Sequence, residues 1–303
     1  MFYALLLAVS IAINTSYNGV NSRAGKKWLA GTADRFFYLG LVFAAGSVVT
    51  LGFMLAEGAA MSAYTLAMGA FFGVWHVATT VMLVRALTLG PLALVNLIVS
   101  CSMVIPTFSG LLIWGEPVAG PQWAGVALMV VALALCADVF GKSNAGGSRH
   151  WLAVGLCASA MTGALGVLQK TYQKSDYSGE MAGFIAVSFV VSAAGAFLAW
   201  RLCRKRGEPA AEKPRFAWGF FTVAAGAGVL AGVLNHLNLF LIGVLPAVIF
   251  FPVCNGGTIL CSAAVGRLLF KEKMTRAQGL GFVLGLAAIL LLGNVVDLLS
   301  APR

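Results

Sequence analysis

The composition of this 303-residue chain excludes a soluble globular protein. Hydrophobic residues make up 60% of it and charged residues only 10%, whereas soluble domains carry roughly 25% charged residues. The six cysteines lie apart without CxxC spacing, five of them in apolar runs, which disfavours both a disulfide framework and a metal site. The net charge of +10 would suit a nucleic-acid partner, but the positions of the charges indicate a different role.

Apolar runs bounded by charge, Gly or Pro predict ten transmembrane helices. In chain order they lie near 2–22, 34–56, 61–85, 91–115, 121–140, 151–171, 180–202, 216–241, 245–269 and 275–297. The start of the chain lacks the basic region and cleavage site of a signal peptide, so we expect a retained first span. The chain then divides into a first five-helix half at 1–140, a connecting loop at 141–150 and a second half at 151–303.

The distribution of Lys and Arg predicts the topology of these spans. With ten spans, seventeen of the twenty basic residues fall on one face, and only Lys170, Lys174 and Arg303 fall on the other. Because basic residues stay cytoplasmic, both termini are expected outside, in a bacterial plasma (inner) membrane. The positive charge then reflects topology and contact with anionic lipid, with no nucleic-acid partner.

Two correspondences relate the halves. Glu116, Gln122 and Gly125 return 156 positions later, in register, as the set Glu272, Gln278 and Gly281. In the third span Gly69 and Gly73 precede Trp75 and His76, and in the eighth span Gly228 and Gly232 precede Asn235 and His236. Glycines four apart make a groove where another helix can approach closely. Two copies of a five-span unit must be inserted in opposite orientations, as in alternating-access carriers.

These features resemble the ten-helix EamA-type branch of the drug/metabolite transporter superfamily. The resemblance rests on the Gly-Glu-Pro and Lys-Glu-Lys loops with their following Gln and Gly, and on the two five-helix halves, so it covers essentially the whole chain. It implies an all-α polytopic fold with two inverted five-helix repeats, a central cavity enclosed by helices 1, 3, 4, 6, 8 and 9, and movement of small solutes. The family usually has both termini in the cytoplasm, opposite to the charge-based prediction here.

Polar side chains within spans are costly and tend to line a cavity or water path. The predicted substrate-binding residues, in chain order, are Asn14, Tyr17, Asn18, Trp75, His76, Asn96, Ser102, Asn235, His236, Asn255 and Thr258. Each residue type has a structural alternative. Ser and Thr bond to their own helix, Asn can join helices, a His can be structural, a ligand contact or a proton carrier, and Trp75 can serve packing alone.

Breaks or bends in the helices are expected at four residues. Pro252 with Gly256 and Gly257 would interrupt the ninth helix and expose backbone groups to a substrate, and Pro106 would bend the fourth helix. A kink that serves packing alone is the alternative.

Charged residues restrict the substrate class. No Asp or Glu is predicted deep in a span, whereas the distantly related small multidrug exporters use a Glu on the first helix, where this chain has Asn14. Neutral, zwitterionic or anionic substrates are therefore favoured over lipophilic cations. Lys170, at the end of the sixth helix, is either an anion partner or a side chain that snorkels to the interface, and we favour snorkelling.

The leading hypothesis is a secondary transporter, an exporter or facilitator of a small metabolite, that works by alternating access. No Walker A, HExxH or CxxC signature occurs, so no ATP, metal or cofactor is expected, and coupling is either through His protonation or absent. The expected partners are the small-molecule substrate and membrane lipids, with homodimerisation left open. The alternatives are a flippase for a lipid-linked sugar and, less favoured, a membrane-embedded enzyme. Catalysis would need convergent carboxylates or an activated nucleophile, and the predicted buried residues include neither.

Overall fold

In the computed structural model, the described residues form helices and short connections. The structure describes residues 2–29, 31–58, 61–89, 98–99, 101–136, 150–205, 218–270 and 276–293. In chain order their helices are α1 (Phe2–Trp28), α2 (Thr32–Glu57), α3 (Ala63–Leu89), α4 (Val104–Trp114), α5 (Gly120–Cys136), α6 (His150–Gln173), α7 (Met181–Lys205), α8 (Trp218–Val244), α9 (Ala247–Phe270) and α10 (Arg276–Gly293). Short 3-10 helices, Cys101–Met103 and Ser178–Glu180, precede α4 and α7. Each predicted span overlaps one of these helices.

Six of the described helices are long and apolar enough to cross a membrane. Their apolar segments are Phe2–Gly25, Thr32–Glu57, Ala63–Ala86, Leu152–Gln173, Ser178–Lys205 and Trp218–Val244. The described parts of α4, α5, α9 and α10 contain shorter apolar helices. A membrane-spanning helix needs about 20 apolar residues, so these six helices are compatible with an integral membrane protein.

The ends of α2 show how local sequence sets helix boundaries. At its start, the Asp34 Oδ2 atom accepts a hydrogen bond of 3.2 Å from the N–H of Gly31, half of a capping box. At its end, Gly58 has a φ of 58°, in the left-handed region that glycine adopts most readily, and its N–H bonds to the carbonyl of Leu55. The polar ends and the apolar interior together define this helix.

The chain folds into two compact units, and each unit draws on both halves of the sequence. Unit 1 comprises Met1–Ala12, Thr79–Lys170 and Leu241–Arg303, and unit 2 comprises Ile13–Ala78 and Thr171–Phe240. Within unit 1, α5 packs extensively on α10 and α4 packs on α9, whereas α2 packs extensively on α7 within unit 2. The second, fourth and fifth helices of the first half thus each pack on the helix of the same rank in the second half.

The glycine pair of α3 forms the groove that its spacing predicts. A Cβ atom at Gly69 would lie 3.0 Å from the carbonyl oxygen of Phe184, and one at Gly73 would lie 2.7 Å from the carbonyl oxygen of Ser188. Both oxygens belong to α7. Real Cβ atoms essentially never approach as closely as the distance at Gly73, and the distance at Gly69 is tighter than most real Cβ contacts. The missing side chains therefore allow α7 to lie directly against α3.

The glycine pair of α8 makes the corresponding contact with α2. A Cβ atom at Gly228 would lie 2.5 Å from the carbonyl oxygen of Val42, and one at Gly232 would lie 3.2 Å from that of Gly46. In both crossings, two glycines four residues apart meet two carbonyl oxygens four residues apart. The prediction that both glycine pairs receive a neighbouring helix is confirmed.

Candidate functional site

A buried ion pair joins Lys170 and Glu116 in unit 1. Lys170 lies in the last turn of α6 with only 1% of its side chain exposed, and its Nζ atom is 2.8 Å from Glu116 Oε1. The same Nζ atom donates to the carbonyl oxygens of Ile242, at 3.0 Å, and Leu245, at 2.9 Å. Three acceptors thus match the three protons of the ammonium group.

This arrangement corrects both interpretations of Lys170. The predicted snorkelling is wrong, because the amine turns into the protein and binds a carboxylate and two carbonyl groups. The alternative, direct binding of an anionic substrate, is not available in this conformation because all three protons already have acceptors. The sequence did not indicate that Glu116 pairs with Lys170, because Glu116 is distant in sequence and belongs to a loop.

A glycine turn places Glu116 beside the amine. Gly115 ends α4 with φ 60° and ψ 27°, in the left-handed region. Its N–H bonds to the carbonyl of Leu111 at 3.1 Å, and the N–H of Glu116 bonds to the carbonyl of Gly110 at 3.0 Å. This is the usual glycine termination of a helix, and it reverses the chain so that the Glu116 side chain points back along α4.

The second carboxylate oxygen of Glu116 caps another helix. Glu116 Oε2 accepts a hydrogen bond of 2.7 Å from the N–H of Ala247, the first residue of α9. A Cβ atom at Gly110 would lie 2.8 Å from the Cβ atom of Ala247 and 2.9 Å from this oxygen, so glycine leaves room for both. The anion lies at the positive end of α9, while Lys170 binds carbonyl oxygens at the end of α8, and both placements complement the helix dipoles.

The next residue of the repeated motif also has a local structural role. Gln122 is the third residue of α5, and its Oε1 atom accepts a 2.9 Å hydrogen bond from the N–H of Ala119. This bond is the Gln half of a capping box. In the first copy of the motif, Gly115 therefore ends α4 and Gln122 caps the start of α5. Glu116, which lies between these two helices, bonds to the start of α9. Glu272, in the second copy, lies outside the described residues.

The structure describes α9 as one helix that includes the residues predicted to break it. The helix continues from Ala247 to Phe270 with Pro252 inside it. Pro252 is only the sixth residue, so its ring removes one hydrogen bond near the helix start while its φ remains helical. Gly256 packs against Met129 of α5, and a Cβ atom at Gly257 would lie 2.7 Å from Ile11 Cδ1 of α1. Both glycines therefore permit close packing.

The described polar residues predicted in the fourth and ninth spans belong to unit 1. The 3-10 turn that carries the buried Ser102 lies against α9. On α9, Thr258 donates to the carbonyl of Cys254 at 2.7 Å, which satisfies it within its own helix, and Asn255 is half-buried. Pro106 is the third residue of α4, where an N–H would have no intrahelical partner. Asn96 lies outside the described residues.

The two predicted histidines have different surroundings in unit 2. The His76 ring lies 5.0 Å from that of Phe43 and 6.0 Å from that of Phe72, an apolar packing position. His236 stacks on Phe53 at 4.6 Å, and its Nε2 atom is 3.2 Å from Glu57 Oε1. Its Nδ1 atom is buried and has no hydrogen-bond partner among the described residues. This nitrogen is therefore the stronger candidate for a substrate contact.

The remaining predicted residues of unit 2 occupy α1, α3 and α8. Asn14 and Tyr17 are half-buried and Asn18 is exposed. Trp75 lies 5.9 Å from the ring of Phe71, and Asn235 donates to the carbonyl of Ala231 in its own helix at 3.0 Å. Unit 2 thus contains seven of the predicted site residues, and the printed bond of Asn235 lies within its own helix, so it does not join two helices.

A polar network at the start of α3 was missed from the sequence. Glu180 Oε2 accepts hydrogen bonds from the Ser62 N–H, at 2.8 Å, and the Ser62 hydroxyl, at 2.7 Å. Ser62 Oγ also accepts from the N–H of Thr65, the usual N-cap bond, and Thr65 Oγ1 is 3.0 Å from the Tyr172 hydroxyl. A Ser before an apolar run signals the cap, whereas nothing local indicates Glu180.

No group of three or more His, Cys, Asp or Glu residues suited to a metal ion occurs within the described ranges. No protein-family model matches the chain, and no curated protein matches it. Among solved structures 28 chains match. One of them, described only as "Crystal structure of protein", has a TM-score of 0.75 at 15% sequence identity, over 97% of this chain and 99% of its own. At this identity the similarity shows that the two chains share a fold over nearly their whole lengths.

Proposed function

We propose that this chain is a secondary transporter of the EamA type, with two inverted five-helix repeats, that moves a small neutral, zwitterionic or anionic metabolite by alternating access. The observation that carries the proposal is the pair of equivalent glycine crossings in unit 2. In one crossing a helix of the first half, α3, receives α7 of the second half, and in the other α8 of the second half receives α2 of the first. Exchanged contacts of this kind are expected when the two halves of a sequence are related copies that pack around a twofold axis.

The pairings in unit 1 support the same architecture. There α4 packs on α9 and α5 packs on α10, so the fourth and fifth helices of the two halves are partners. Carriers built from inverted repeats alternate by rocking of compact bodies, with the substrate site near the middle of the membrane. The division of this chain into two compact units, each with segments of both halves, agrees with that mechanism.

The charges of the described residues support the proposed substrate class. The Glu116 carboxylate is engaged by Lys170 and by the start of α9, and Glu180 is engaged by the start of α3. Glu57 lies at the end of α2 beside His236. A lipophilic cation would need an available carboxylate within the spans. Amide and imidazole groups, such as those of Asn14 and His236, suit a substrate that forms hydrogen bonds.

A thermal-stability screen followed by flux measurement tests the proposal. Purified protein is heated with amino acids, nucleosides, sugars, polyamines and lipid-linked sugars, and a ligand at 100 times its dissociation constant should stabilise by about 2.7 kcal/mol. We expect one class of soluble metabolite to raise Tm and to cross proteoliposome membranes. His236→Ala should abolish both effects. The control Thr222→Ala, an exposed residue of α8 that bonds to Gly219 of its own helix, should retain them.

Each other outcome has a defined meaning. Stabilisation by lipid-linked sugars alone, with transbilayer movement of the labelled lipid, would replace the metabolite carrier by a flippase. Neither stabilisation nor flux with any class would refute the transport proposal. Equal loss in the Thr222→Ala variant would refute the assignment of His236 to the site.

A further inference from the structure

Pro246 leaves two carbonyl groups at the end of α8 without the N–H partner that a continuous helix would supply. The carbonyl of Ile242 would accept from residue 246, but proline has no N–H. The carbonyl of Leu245 would accept from Ile249, whose N–H instead bonds to the carbonyl of Pro246 at 3.0 Å. Ile242 is 1% exposed and Leu245 is 5% exposed. Buried carbonyl groups need another partner, and these two lie at the negative end of α8.

The Glu116 carboxylate adds a third oxygen to this pair. Its Oε1 atom lies 2.8 Å from the Nζ atom of Lys170. The carbonyl oxygens of Ile242 and Leu245 lie 3.0 and 2.9 Å from the same nitrogen. We call these three oxygens the oxygen cage. One negative charge and two carbonyl dipoles that meet at a buried point favour a monovalent cation, because it balances the charge and satisfies all three oxygens.

We propose that the oxygen cage is a monovalent-cation site that the ammonium group of Lys170 occupies permanently. Carriers coordinate coupling ions such as Na⁺ with carbonyl oxygens at the ends of interrupted helices, and here a covalently attached cation takes that place. An ion from solution therefore has no room in the wild-type cage. Removal of the amine should create a site for a primary ammonium ion, whose N–H groups can reach the same three oxygens.

An internal cation has a consequence for coupling. This consequence rests on the proposed transport function, whereas the cation site itself does not. Flux of the solute into proteoliposomes should be the same in NaCl, KCl and choline chloride of equal concentration, because no coupling ion has to enter the oxygen cage. A requirement for sodium or potassium would overturn this part of the proposal. Absence of flux with any solute would refute the transporter instead, and the binding experiment would still decide the cation site.

Refilling the emptied cage tests the site. Lys170→Ala is purified in a neutral detergent, and its Tm is measured in methylammonium chloride and in tetramethylammonium chloride at equal ionic strength. At ten times its dissociation constant, methylammonium should raise the Tm of the variant by about 3 °C, and it should leave the Tm of the wild type unchanged. Tetramethylammonium carries the same charge but has no N–H groups, so it should raise neither.

Two further variants separate the oxygen cage from general effects of salt. Lys170→Met fills the space of the side chain with apolar atoms and should not respond to methylammonium. Lys170→Ala combined with Glu116→Gln keeps the space but removes the carboxylate charge. This double variant should bind methylammonium at least about tenfold more weakly than Lys170→Ala, because a hydrogen bond to a charged group is lost.

Three results would overturn the cation site. The first is a Tm of Lys170→Ala that responds no more to methylammonium than to tetramethylammonium, and the second is an equal response of the wild type. The third concerns folding. If Lys170→Ala unfolds during purification, methylammonium in the buffers should rescue it, because the refilled cage again has a cation. Failure of that rescue, while Lys170→Met is recovered folded, would show that the emptied cage does not bind the ion.

Discussion

The Lys170–Glu116 pair predicts a strong dependence between two distant positions. Glu116→Gln removes the counter-charge of an ammonium group whose side chain is 1% exposed, while the hydrogen bonds to Ile242 and Leu245 remain. Breaking a buried ion pair from one side typically costs about 3–5 kcal/mol, because a desolvated charge is left uncompensated. We expect a loss of this size in the free energy of unfolding.

The reciprocal change should cost less. In Lys170→Met, Glu116 retains the hydrogen bond from the Ala247 N–H at the start of α9 and is 11% exposed. The expected loss is about 1–3 kcal/mol, the cost of an under-satisfied polar group. The double variant removes both charges, and replacing a whole buried pair by uncharged residues is often nearly neutral. It should therefore be more stable than Glu116→Gln alone.

The assay is unfolding by sodium dodecyl sulfate in mixed micelles, followed by far-ultraviolet circular dichroism for the four members of the cycle. Glu57→Gln is the control, because Glu57 is 41% exposed beside His236 and an exposed pair contributes at most about 1 kcal/mol. The reasoning is refuted if Glu116→Gln costs no more than this control. It is also refuted if the two single losses add to the double loss within about 0.5 kcal/mol, the range of independent sites.

Three further predictions concern the glycines and the topology. Gly228→Ala should destabilise by about 1–3 kcal/mol in the same assay, because its methyl group would meet the carbonyl of Val42 at 2.5 Å. Gly226→Ala, on the same helix with nothing within 4 Å, should be neutral or stabilising by up to about 1 kcal/mol, and equal losses would contradict the crossing. Gly115→Ala should cost about 1–2 kcal/mol at its φ of 60°, whereas Gly115→Asn should cost less, and equal costs would argue against a left-handed turn. A phosphatase reporter fused after Arg303 should be active outside the cytoplasm, and activity only of a cytoplasmic reporter would disprove the predicted topology.

The helices and their close crossings followed from local patterns. An apolar run of about 20 residues must satisfy its own backbone hydrogen bonds, so the hydropathy of the sequence predicts a helix. Glycines four apart lie on one helix face, and Gly69 with Gly73 and Gly228 with Gly232 each received a neighbouring helix as expected. The sequence did not indicate which helix would enter either groove.

The roles of single polar residues depended on contacts between distant segments. Lys170 at a helix end resembles a snorkelling side chain in sequence, and only the turn at Gly115 brings Glu116 to it. The effect of Pro252 depended on its position near the start of α9, where the helix continues. Hydropathy and spacing are properties of neighbouring residues, so the sequence alone determined the helices. The tertiary structure decided which charges are paired and which imidazole nitrogen has no partner among the described residues. The reason is physical: the partner of a buried polar group is selected by the cost of leaving it unsatisfied in three dimensions.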